Sequence, residues 1–415
     1  MTLTRRQALM GATAALAATR LQAQPKLALA TAAAFDAQGR PWFAGLDAQG
    51  QLRLRQGAGA LEDGKLLVTA GDKVAAEGEA VPRLLFGPVQ HPGLVLLAYV
   101  RPGAKPFTGD VRLLRSTDGG ASFAPPITVH QDRQPITHRF ANLAFDGQGR
   151  LHTVWIDKRD LEAAKAEGRP YRGAAVYRNL SLDGGASFGP DLKLADHACE
   201  CCRIALAPGA NGGLGAMWRH VFEPDERPQA DAAHRPPPEG VSKLGSGPSF
   251  AQERDHAFAL LSGGEDTDDR PALQRASLDR WALDACPHHG PGLAAAADGG
   301  WHACWFGQRA GVSAVRWGRL DAGGRPQGPF RTLPRAEHAD LISVGPRVAL
   351  VWREFDGQRT RLRALLSRDD GRNWRPHELA QSQQISDHPR LLRQGQALFC
   401  AWRDAEQLRL LGLPA

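Results

Sequence analysis

The chain has 415 residues, 42% of them hydrophobic and 23% charged, with a formal net charge of +7. That length suits two or three average domains or one large all-β domain. No lysine-rich run accompanies the positive balance, so nucleic acid is excluded as the expected partner.

The N-terminus reads MTLTRRQALMGATAALAATRLQA. Arg5 and Arg6 precede an apolar run, Ala8 to Ala18, that falls short of the roughly 20 residues a bilayer span needs. A charged start, an apolar middle and a small-residue end make residues 1–23 an export signal, similar to the twin-arginine type. Its loss removes three arginines and leaves a mature chain of about +4, expected to be periplasmic or secreted. No later segment reads as transmembrane. An exported compartment permits disulfides.

From residue 24 onward a repeat dominates, and it predicts one β-propeller domain over 24–415. An apolar strand, a glycine turn and a second strand ending in an aromatic recur at 32–45, 84–101, 142–159, 204–220, 292–309, 341–354 and 391–404. Most starts lie ~50–60 residues apart, the scale of a propeller blade. The Pro-rich stretch at 223–252 lengthens one interval and reads as a surface insertion. The single helical candidate, 161–168, is short. The pattern predicts an all-β fold of four-stranded blades around a channel, with six or seven blades. A monomer is expected.

Between these hairpins stand three octads: STDGGASF at 116–123, SLDGGASF at 181–188 and SRDDGRNW at 367–374. Each suits a tight turn, with glycine supplying positive φ and Asp118, Asp183 or Asp369 accepting turn amides. The octads resemble the Asp-box, or BNR, repeats of sialidase-like β-propellers. That resemblance implies a structural role for them between the outer strands of a blade, and no catalytic one.

The strand order places chemistry on one rim. Before the first strands stand His138, His197, His288, His289, His338 and His388. Arg83, Arg139, Arg203 and Arg390 open first strands. Arg101, Arg159, Arg219, Arg309, Arg353 and Arg403 follow second strands. A concave rim rich in histidine and arginine suits a small anionic ligand, for which Arg101, Arg159, Arg203, Arg219, Arg353, Arg390 and Arg403 are the candidates. Pairing with neighbouring carboxylates competes for each of them.

Three of the six cysteines fall within DHACECCR, at Cys199, Cys201 and Cys202, and Cys286 follows in CPHHGP before the next first strand. These segments, with Asp279, Trp281, Pro287, Gly290 and Pro291, resemble an exported bacterial subgroup of BNR-type propellers. Two chemistries compete. Disulfides would give a vicinal Cys201–Cys202 bridge or a staple from Cys199 or Cys202 to Cys286; four cysteines allow three full pairings. A soft-metal site would join Cys199, Cys201, Cys202 and Cys286 with His197, His288 or His289 around copper or zinc. Cys304 and Cys400 lie inside second strands beside aromatics and read as core residues.

Three functions follow. One is a binding protein for a soft metal. Another is a sialidase-type hydrolase of acidic sugars, which the resemblance ties to three arginines, a Tyr–Glu nucleophile pair and an Asp acid/base. Tyrosine is scarce, and Tyr99 is the weak candidate for that nucleophile. The last is a disulfide-stapled scaffold that meets another exported protein.

Overall fold

The computed structural model describes residues 29–68, 73–76, 78–223, 253–261, 270–283, 285 and 287–414. The export signal, all but the first residue of the Pro-rich insertion, and Cys286 lie outside the described residues.

The described chain is nearly all β, with one α-helix at Arg159–Ala166. Its strands run as successive antiparallel meanders, and each of the seven sequence hairpins forms the first two strands of one. The innermost strands are Thr31–Phe35, Arg83–Phe86, His138–Phe145, Ala205–Pro208, Gly292–Ala295, Glu337–Val344 and Arg390–Gln394. Six meanders have four strands and the last has three; the third and fourth join into one hydrogen-bonded sheet through the pair Ala198 and His220. Each innermost strand lies beside the next, and the first lies beside the seventh. This is the arrangement of a propeller around an axis.

Burial follows distance from that axis. The second strand Leu151–Asp157 is buried at every position, because neighbouring sheets cover both its faces. The fourth strand Pro326–Pro334 is exposed at most positions. The core is therefore divided among the inter-sheet spaces. One such cluster packs Leu96, Val111, Leu113, Trp155 and Tyr177 between the second and third meanders. The first and last meanders are also tied by polar contacts. Thr31 donates its N–H to Asp387 Oδ2 at 2.7 Å, and Arg403 Nη1 donates to Leu46 O at 2.8 Å.

The three octads form turns between third and fourth strands. In each, the serine hydroxyl donates to the aspartate, at 2.7 Å for Asp118 and Asp183 and 2.8 Å for Asp369. The same hydroxyl accepts the N–H of Gly120, Gly185 or Gly371. These turns lie at the opposite end of the third strand from the loops that enter first strands, so they stay clear of the rim described next.

Candidate functional site

Residues at the rim ends of strands, or just before them, are conformationally strained. Phe140, His197, His288 and His338 all carry φ between 50° and 61°. L-residues reach that region at an energetic cost, which surrounding contacts must offset. Those contacts gather polar side chains into three groups.

The first group is the thiol triangle. Cys199 Sγ stands 3.6 Å from Cys201 Sγ and 3.9 Å from Cys202 Sγ, and the last two are 3.8 Å apart. All three residues are buried. A disulfide needs about 2.0 Å, so the vicinal Cys201–Cys202 bridge, one of the pairings left open above, is not formed. No two of the five described cysteines are joined by a disulfide. Cys199 is anchored by its N–H to Arg219 O at 2.9 Å.

Two arginines face this sulfur. Arg254 Nη1 lies 3.2 Å from Cys199 Sγ. Arg219 is only 1% exposed, and its charge acts on Cys202. Its Nη2 donates to the carbonyls of His289 and Phe306, whereas Nε and Nη1 have no hydrogen-bond partner among the described residues. His256 sits opposite Arg219 in strand register, with Nδ1 3.2 Å from Ser277 Oγ and Nε2 unpartnered among the described residues. Burial, reinforced by the Arg219 charge, holds His256 well below the usual histidine range. Burial also holds Cys202 well above the usual thiol range.

The second group centres on Glu79, whose side chain is almost wholly buried. Its Oε1 accepts Arg203 Nη1 at 3.1 Å and lies 3.4 Å from both His338 Nδ1 and His388 Nδ1. Its Oε2 accepts the Gly290 N–H at 2.8 Å and the Arg203 N–H at 3.3 Å. Burial opposes the carboxylate charge, but Arg203 and the two imidazoles hold Glu79 well below the usual range. The rings continue as a column: His388 on His338 at 3.5 Å, His338 on His289 at 4.1 Å, His289 on Phe306 at 4.1 Å. Burial lowers His388 to about 4, His338 to about 3 and His289 to about 2, so all three are neutral at pH 7.

Arg203 links this group to a cavity of about 430 Å³ on the axis, walled by innermost strands. Arg83, Arg203, Arg390 and Arg393 line it, with Asp340 the acidic residue in the wall. Burial and then repulsion from Arg390 and Arg203 lower Arg83 to about 9. Arg83 Nε donates to Ala141 O and Arg390 Nη2 to Gly78 O.

The third group is Asp110, His130 and His138. Here His130 Nε2 accepts the Val111 N–H at 3.2 Å, so its lone pair is engaged in holding the third strand.

Several residues expected at one site are placed apart. His197 packs on Tyr171 and meets the Arg172 backbone, and His288 is exposed; neither belongs to the thiol group. His289 joins the ring column instead. Of the seven candidate anion-binding arginines, only Arg203 and Arg390 line the axial cavity. The other five brace the fold. Arg101 pairs with Asp110. Arg159 is held by Asp157 and Asp191, which keep its pKa above the ordinary value against the effect of burial. Arg219, Arg353 and Arg403 donate to backbone carbonyls. Tyr99 is buried among Leu84, Leu97 and Leu114. Tyr171 and Tyr177 donate to Asp196 and Asp160, and burial together with those carboxylates raises their pKa. No tyrosine lines the axial cavity. Cys304 and Cys400 are core residues between sheets.

Sequence reasoning missed Glu79, Arg254 and His256. Strand alternation in ERDHAF could have put Arg254 and His256 on one face. Glu79 precedes its strand in a segment with no motif.

No protein-family model matches the chain, and no curated protein does. Among solved structures it is similar to an ulvan lyase of a new polysaccharide lyase family, at 13% identity and TM-score 0.48, covering 90% of this chain and 88% of that one. A protein of unknown function from Dyadobacter fermentans is 12% identical with TM-score 0.49, over 83% of this chain and 97% of that one. The NanB sialidase of Streptococcus pneumoniae, as a variant, is 9% identical with TM-score 0.46, over 84% and 69%. Likeness this distant assigns neither family nor activity, so the reading of the site rests on the chain's own residues. No helix among the described residues is long and apolar enough to cross a membrane.

Proposed function

We propose that the chain is an exported seven-bladed propeller that binds a soft metal ion, Cu(I) or Zn(II), through Cys199, Cys201 and Cys202. Cys286, outside the described residues, remains a candidate fourth ligand. The single observation that carries this reading is the thiol triangle, with sides of 3.6, 3.8 and 3.9 Å. Three thiolates about 2.3 Å from a tetrahedral zinc lie about 3.8 Å apart, and a planar three-coordinate ion at the same bond length needs about 4.0 Å. Neutral thiols in contact stand at similar separations, so the charge around them matters too. Binding requires thiolates, and an ion with three of them is anionic overall. Arg219, with Nε and Nη1 unpartnered among the described residues, and Arg254, against Cys199 Sγ, supply the compensating charge. A buried arginine without an anion is otherwise costly. Soft sulfur selects Cu(I) or Zn(II) over hard cations.

Replacing Cys199, Cys201 and Cys202 by serine tests the reading. Isothermal titration with Cu(I) or Zn(II) should lose one equivalent of tight binding. Unchanged stoichiometry and affinity for both ions would remove the proposal.

The axial cavity favours a second reading, a site for a small anion such as an acidic sugar. Burial and then repulsion from neighbouring arginines lower the proton affinity of Arg83 and Arg390 there, a repulsion that a carboxylate would relieve, while Glu79 and Asp340 keep Arg203 raised. A tyrosine nucleophile is not placed for hydrolysis there, because no tyrosine lines the cavity and two of the three have raised pKa values. Binding of glucuronate, abolished by Arg83→Met with Arg390→Met, would establish this second site.

A further inference from the structure

We propose that Glu79, His338 and His388 form a second metal site, for a borderline divalent ion such as Zn(II), beside Arg203 of the axial cavity wall. It does not depend on the thiol site. Glu79 Oε1 is 3.4 Å from each Nδ1, and the three ligand atoms all lie within 4.8 Å of one another. Nitrogen and oxygen ligands about 2.1 Å from a tetrahedral zinc stand about 3.4 Å apart. Two imidazoles and one carboxylate are a donor set that borderline divalent ions prefer over Ca(II) or Mg(II).

Three features prepare these atoms for the task. Glu79 is oriented through its other oxygen, which the N–H groups of Gly290 and Arg203 hold at 2.8 and 3.3 Å. Such outer partners fix a ligating carboxylate. His388 Nδ1 is buried, points at Oε1 and has no aligned hydrogen-bond partner among the described residues. The Arg203 guanidinium bonds both carboxylate oxygens, at 3.1 and 3.3 Å, and can move onto Oε2 alone when Oε1 takes the ion. The two rings are stacked at 16°, so coordination also turns them until both in-plane lone pairs meet at one point. With three protein ligands, a tetrahedral ion keeps a fourth position, and Arg203 connects the site to the arginine-lined cavity.

Co(II) is the probe, because its spectrum separates sulfur from nitrogen and oxygen ligands. The full chain is prepared with Cys199, Cys201, Cys202 and Cys286 replaced by serine. It should bind one Co(II), giving visible ligand-field bands without a thiolate charge-transfer band. Adding His338→Phe and His388→Phe, which keep aromatic rings in the column, should abolish that uptake. Should the double change unfold the protein, His388→Phe alone should weaken binding at least tenfold. The proposal is overturned if the thiol-free protein takes up no Co(II), or if the phenylalanine variants bind it as before. Loss of the charge-transfer band in the unsubstituted protein, with the ligand-field bands intact, would remove the thiol reading and leave this one standing.

Discussion

Substituting Glu79 by glutamine perturbs the most connected buried charge on the rim. Its carboxylate joins four separate stretches of chain: the Arg203 loop, Gly290, His338 and His388. Glutamine keeps the size but strands the buried Arg203 guanidinium, whose remaining partners are the carbonyls of Pro291 and Ala339. Removing one member of a buried ion pair costs about 3–5 kcal/mol. For a chain of this length that lowers Tm by roughly 5 °C. Scanning calorimetry with chelator present, at one scan rate, reads the shift free of metal binding. Arg203→Met should cost a similar amount, and the double variant less than the sum, because the two residues share one interaction. Acidity supplies a further check. Glu79 is depressed in the folded state, so its contribution is present above its unfolded pKa of about 4.5 and is lost as pH falls below it. The gap between native protein and Glu79→Gln should therefore shrink in acid. A loss under about 1 kcal/mol at pH 7, or additive single variants, would refute the view of Glu79 as the tie between these loops.

Asp387 has the opposite behaviour. Burial raises it to about 6, so the folded state holds the proton more tightly and stability declines as pH rises from about 4 to 6. Two pKa units correspond to at most ~3 kcal/mol. Denaturant unfolding should show Asp387→Asn gaining on the native protein across that window and holding level above it. Asp183→Ala removes the acceptor of the Ser181 hydroxyl and of two turn amides, and should cost about 1–2 kcal/mol by the same assay. Iodoacetamide at pH 7.5 should label Cys199, Cys201 and Cys202 only after denaturation, because burial keeps Cys202 protonated and all three out of reach. Mass spectrometry after labelling counts them.

Much of the architecture was legible because strand hairpins repeat. Apolar runs such as LHTVWID require cover on both faces, and a glycine turn before each of them marks a hairpin. The Ser-x-Asp-x-Gly octads could be read as turns because their hydrogen bonds are local, Ser116 to Asp118 to Ser122. The site was less legible because its contacts are not local. Glu79 and His388 are 309 positions apart in sequence and meet only because the loops entering the second and last meanders converge on one axis. The rim arginines looked alike in sequence, yet Arg159 and Arg101 sit beside carboxylates while Arg203 and Arg390 reach the cavity. His197 and His288, at φ of 61° and 52°, lie apart from the sulfur their spacing suggested, His197 against Tyr171 and His288 exposed.

Native mass spectrometry of the protein, isolated without chelator or reductant and paired with a thiol count, tests the central claim most directly. The account predicts one copper or zinc held by the reduced thiols of Cys199, Cys201 and Cys202, beside any ion at Glu79, and loss of that one ion from the triple serine variant. A chain free of metal, with two of those cysteines or all three and Cys286 oxidised to disulfides, would contradict it and leave the triangle a covalent staple.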